Sequence, residues 1–98
     1  MVLKVKKMTE QAKKIIFSGS VQGVGFRYTV SRIAVRYSLT GYVKNLADGS
    51  VEVFAQGQPD EIELFIENIK ESFAGYIRWC KESNESYNTS YADFRIAF

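Results

Sequence analysis

Residues 13–21 carry Ile15, Ile16 and Phe17 together, an apolar, β-branched and aromatic run that predicts a first strand. The period then changes. Over residues 26–37 the apolar positions are Phe26, Val30, Ile33, Ala34 and Tyr37, at spacings of four, seven, eight and eleven that gather on one face of a helix. Thr29, Arg32 and Arg36 fall on the opposite face. Residues 39–45 predict a second strand, and Asp48-Gly49 marks a tight hairpin. In the partner strand over 50–56, Val51, Val53 and Ala55 alternate with Glu52, Phe54 and Gln56.

Gly57 breaks that strand, and Pro59 with Asp60 suits the first turn of a second helix, where a missing N–H and an early acidic charge are both favourable. Its apolar stripe is Ile62, Phe65, Ile66, Ile69 and Phe73, and Ala74-Gly75 ends it. Residues 76 to about 81 predict a further strand, with Cys80 as a packing residue, and 82–89 are polar and turn-rich. Residues 91–98 predict a closing strand with Phe94, Ile96 and Phe98 on one face.

The order is strand, helix, strand, strand, helix, strand, strand. Its first six elements match the split βαβ, or ferredoxin-like, α+β arrangement, in which two helices cover one face of an antiparallel or mixed sheet. The position of the added strand in that sheet does not follow from periodicity.

Ninety-eight residues fit one domain, expected over 13–98, with residues 1–12 as a flexible tail carrying Lys4, Lys6 and Lys7. The hydrophobic content is 46% and the charged content 24%, enough to build a core without a disulfide or metal. Cys80 is the only cysteine, which excludes an internal disulfide and favours a reducing, cytoplasmic setting. No apolar run approaches transmembrane length. The absence of histidine excludes Ser–His and Cys–His nucleophile pairs and histidine-ligated metals. A formal net charge of +2 does not by itself argue for nucleic acid. The expected protein is a monomer with no cofactor, no metal and no membrane or nucleic-acid partner.

The chemistry concentrates in Gly19-Ser20-Val21-Gln22-Gly23-Val24-Gly25-Phe26-Arg27, at the junction between the first strand and the first helix. Glycines there allow a tight turn that points several N–H groups at one spot, and the helix start adds its partial positive charge. Arg27 adds a full charge in a planar fork matched to phosphate oxygens. Together they describe a site for an oxyanion, above all a phosphoryl group.

That stretch resembles the first signature of the acylphosphatases, and Gly41-Tyr42-Val43-Lys44-Asn45-Leu46-Ala47-Asp48-Gly49-Ser50-Val51-Glu52-Val53 resembles the second. Two features depart from the family pattern: Ser20, where the family is often basic, and the lack of a Gly-Pro pair near Ala74-Gly75. The resemblance implies hydrolysis of acyl phosphates to a carboxylate and inorganic phosphate. It implies Arg27 and Asn45 as catalytic residues, with Asn45 orienting the attacking water. The backbone of Val21, Gln22, Gly23, Val24, Gly25 and Phe26 then cradles the phosphoryl oxygens. A carboxylate leaves without protonation, since its conjugate acid has a pKa near 4, so imidazole is not required. The rival readings are a carbamoyl-phosphate-directed hydrolase and a non-catalytic phosphate- or RNA-binding module on the same fold.

Overall fold

The computed structural model describes residues 10–98. Its elements are β1 (Gln11–Gly19), α1 (Phe26–Arg36), β2 (Thr40–Asn45), β3 (Val51–Gly57), α2 (Pro59–Ser72), β4 (Ile77–Glu85) and β5 (Phe94–Ala97). The strands form one mixed sheet in the order β4-β1-β3-β2-β5. β1 pairs antiparallel with β3 and β4, and β2 pairs antiparallel with β3. β5 lies parallel to β2, which supplies the placement that periodicity left open.

Alternation explains the layering. Ile15 and Phe17 of β1, Val43 of β2, and Val51, Val53 and Ala55 of β3 turn to one face. There they share a buried cluster with Val30, Ile33 and Ala34 of α1 and with Ile62, Phe65 and Ile69 of α2. Both helices therefore cover the same side of the sheet. Each fully buried Phe or Ile contributes roughly 1.5–3 kcal/mol relative to an exposed one.

Four strand boundaries differ from expectation by more than one residue, and Gly57, expected to break β3, instead ends it in register with Gln11. β1 begins at Gln11, because Ala12 is buried and pairs with Gln56 on one side and Glu85 on the other. The tail expected over 1–12 therefore gives up Gln11 and Ala12 to the sheet, and residues 1–9, with Lys4, Lys6 and Lys7, lie outside the described residues. β1 ends at Gly19 rather than Val21, where the register with β4 shifts. β4 runs on to Glu85, through residues expected to form turns. It is an edge strand on which only Ile77 and Cys80 pack partly against the core, so its residues lack the apolar alternation that marks a strand. β5 is the shortest strand; Phe94 and Ile96 pack on the expected face, but Phe98 lies beyond it and is 99% exposed.

The face away from the helices is partly covered too. β4 and β5 occupy opposite edges, so the chain between them crosses that face. Gln56 Nε2 donates to Asn88 O at 2.7 Å and to Thr40 Oγ1 at 3.1 Å, and Gln56 Oε1 accepts from Asn88 N at 2.9 Å. The buried amide is thereby satisfied. Tyr42 and Tyr91 place their ring centroids 5.7 and 5.3 Å from that of Phe54.

Candidate active site

The junction between β1 and α1 turns through two left-handed glycines, Gly23 at φ 79° and Gly25 at φ 76°. A Cβ built at either would meet nothing within 4 Å. Glycine is needed there for the backbone conformation, and the space above the turn is open. Gly25 is also the N-cap of α1, which has no side-chain cap and no acidic residue in its first turn. The positive end of the helix thus faces a region without a compensating carboxylate from its own first turn.

Asn45 reaches the same corner from the other side of the chain. It is the final residue of β2 and pairs with Val51. Alternation from buried Val43 puts it on the helix-covered face, one step beyond the core, where it is exposed. The hairpin after it is closed by Leu46 N to Ser50 O at 2.8 Å, with Gly49 at φ 94°. Asp48 Oδ1 accepts from Ser50 N at 2.9 Å and from the Ser50 hydroxyl, and these bonds hold its carboxyl below the usual range.

Val21, Gly23, Gly25, Phe26 and Arg27 line one cleft of about 200 Å³ together with Asn45. Arg27 Nη1 donates to Ala97 O at a long 3.5 Å, and its Cζ lies 5.0 Å from the centroid of the Phe98 ring. Among the ion pairs of the described residues, none involves Arg27; Lys13, Lys44 and Arg95 each have a carboxylate. The cleft therefore carries an arginine that forms no ion pair among the described residues.

Two of the expected phosphate-binding residues do not bring side chains to the cleft. Gln22 turns away to the hairpin, its Nε2 donating to Leu46 O at 2.8 Å and Ser50 O at 2.9 Å. Val24 is exposed outside the lining. Both can serve only through the main chain. Three lining residues were not anticipated in the site: Tyr28, Ile96 and Phe98. The periodicity of the closing strand puts Ile96 and Phe98 on one face, but their approach to Asn45 depends on β5 lying beside β2.

The family model described as Acylphosphatase matches residues 13–96. The chain belongs to the acylphosphatase family. The acylphosphatase of Methanospirillum hungatei is 50% identical over 64 residues, covering 65% of this chain and 70% of the relative. That of Caldanaerobacter subterraneus is 43% identical over 84 residues, covering 81% and 89%. The solved structure of an acylphosphatase from Coxiella burnetii superposes with a TM-score of 0.85 at 33% identity, over 97% of this chain and 100% of that one. The described residues thus carry the acylphosphatase fold, with the ferredoxin-like core expected from the element order.

Proposed function

We propose that this chain hydrolyses acyl phosphates by direct attack of water on a phosphoryl group held between the glycine turn and Arg27. The observation that carries this reading is the single cleft uniting Gly23, Gly25, Arg27 and Asn45, drawn from two segments of the chain. The main chain of residues 21–26 and the start of α1 offer N–H donors, and the Arg27 fork takes two oxygens. Asn45 has both an acceptor and donors, so it can hold water while touching a phosphoryl oxygen.

Water forms its bond to phosphorus as the bond from phosphorus to the acyl oxygen breaks. The acyl oxygen leaves as a carboxylate with both electrons of that bond. One proton of the water passes to a phosphoryl oxygen, so the products are a carboxylate and dihydrogen phosphate. A weakly basic leaving group needs no acid, and catalysis reduces to position and charge, which the chain's own groups supply.

Small substrates suit this chain better than RNA. On the face that RNA-binding relatives of the fold use, Phe54 is buried beneath Tyr91 and Glu52 adds negative charge. We further assign the chain to a reducing, cytoplasmic setting as a monomer, in keeping with its one free thiol, Cys80. No helix among the described residues is long and apolar enough to cross a membrane.

The test is loss of benzoyl, acetyl and carbamoyl phosphate in the presence of EDTA. Turnover of the first two that survives chelation and disappears in Arg27→Ala supports the reading. Turnover of carbamoyl phosphate alone, or a metal requirement, overturns it.

A further inference from the structure

The groups assigned to the phosphoryl end account for only part of the cleft. The rest of its wall is Tyr28, Ile96 and Phe98. Tyr28 is 60% exposed and Phe98 is 99% exposed. A phosphoryl group gains nothing from such a surface, since its oxygens are matched by N–H groups and a guanidinium. Apolar surface left in water becomes favourable only when something covers it.

The wall is held by the same elements that hold the chemistry. Ile96 pairs with Val43, two residues before Asn45, so β5 sits in fixed register beside the strand that presents Asn45. Phe98 follows directly after β5, and Arg27 Cζ lies over its ring, 5.0 Å from the centroid. Tyr28 follows Arg27 in α1, and Arg32 one turn later donates to its hydroxyl at 3.3 Å with its Cζ 5.7 Å from the ring. That pairing steadies an exposed ring that would otherwise be free to turn.

In an acyl phosphate the carbonyl carbon is one bridging oxygen from phosphorus. With the phosphoryl group on Arg27, the substituent on that carbon comes within reach of a ring lying against Arg27. The cleft therefore has an anion-binding end at Arg27 and an apolar end at Tyr28, Ile96 and Phe98.

We propose that Tyr28, Ile96 and Phe98 form the acyl subsite, and that the preferred substrates carry an aromatic or extended apolar acyl group. This rests on the acyl-phosphate reading above. Phe98 and Tyr28 act as specificity determinants: their contact is with the leaving group and not with the reacting phosphorus.

The experiment compares kcat/KM for benzoyl phosphate with that for acetyl phosphate in the unmodified chain, Phe98→Ala, Tyr28→Ala and the double variant. Using a ratio of ratios cancels the intrinsic reactivity of the two anhydrides. The benzoyl-to-acetyl ratio is expected to fall about tenfold in each single variant, the size of a modest hydrophobic discrimination, and further in the double variant. Both side chains are exposed, so folding is not at stake. An unchanged ratio, including equal losses on both substrates, overturns the subsite. Failure of the unmodified chain to hydrolyse either substrate overturns the enzyme reading itself, a distinct result.

Discussion

Gln22 Nε2 donates a 2.8 Å hydrogen bond to the carbonyl of Leu46, the residue directly after Asn45. Its second proton goes to Ser50 O at 2.9 Å, across the closing pair of the same hairpin. One amide thus ties the loop that bears the glycine turn to the strand end that bears Asn45. The expected consequence is that Gln22→Met lowers kcat about tenfold and stability by about 1–2 kcal/mol, two neutral hydrogen bonds being lost while both carbonyls keep backbone partners. If Gln22 acts through Asn45, the catalytic losses of Gln22→Met and Asn45→Ala combine to less than their product. Full multiplicativity in that double-mutant cycle would leave Gln22 a purely structural residue.

Arg27→Ala is expected to lower kcat/KM by at least ~10²-fold, the scale of removing one oxyanion donor. Arg27→Lys keeps a charge but loses the two-pronged geometry, so it should recover only part of the loss. Steady-state kinetics on benzoyl phosphate measure both, and near-normal turnover in Arg27→Ala would remove Arg27 from the mechanism.

Asn45→Ala is expected to lower kcat by about 10²-fold while inorganic phosphate still inhibits with similar affinity. Asn45 is exposed at the strand end, so the variant should fold normally. Loss of phosphate inhibition would reassign Asn45 from water orientation to anion binding.

Gly19→Ala is expected to cost about 3 kcal/mol, read by denaturant unfolding. A Cβ at Gly19 would lie 2.3 Å from Tyr76 O and 2.6 Å from Arg78 N, on a backbone at φ 130°. These are main-chain atoms at and just before the start of β4, so a side-chain rotation cannot relieve the clash. An unaltered midpoint would mean the β1–β4 junction gives way easily.

Alkaline stability should depend on Tyr42. Its phenol is pushed up by burial, then by its hydrogen bond to Glu52 and that carboxylate's charge. A phenol that holds its proton more tightly when folded contributes fully below its unfolded pKa, about 10, and less as pH rises beyond that. Urea unfolding at increasing pH above about 10 should show a shallower loss of stability in Tyr42→Phe than in the unmodified chain. Parallel curves would show that the Tyr42–Glu52 pair is not the source.

The helices are legible in the sequence because each combines a 3.6-residue period with burial on one side only. Val30 and Ile33, and Ile62, Phe65 and Ile69, do in the core what their spacing predicts. β4 is not legible beyond Lys81, because an edge strand with polar side chains on both faces has no period to read. The second face of β3 is half legible: alternation assigns Phe54 and Gln56 to it, but their burial depends on Asn88 and Tyr91 arriving from far along the chain. The site divides in the same way. Gly23, Gly25 and Arg27 stand in one short stretch whose local chemistry can be read directly, Asn45 is picked out only by the resemblance of its hairpin to the second signature, and one cleft contains them all. Tyr28, Ile96 and Phe98 join it through sheet order, which no local pattern specifies.

Helix α1 starts on Gly25, a residue with no side chain to satisfy the helix's first N–H groups. Most helices solve this problem with their own serine, threonine or aspartate. Phosphate bound there as proposed would take that part, and the product would then double as a folding ligand. Millimolar phosphate should raise the melting temperature, and the enzyme should be at its sturdiest when it is inhibited.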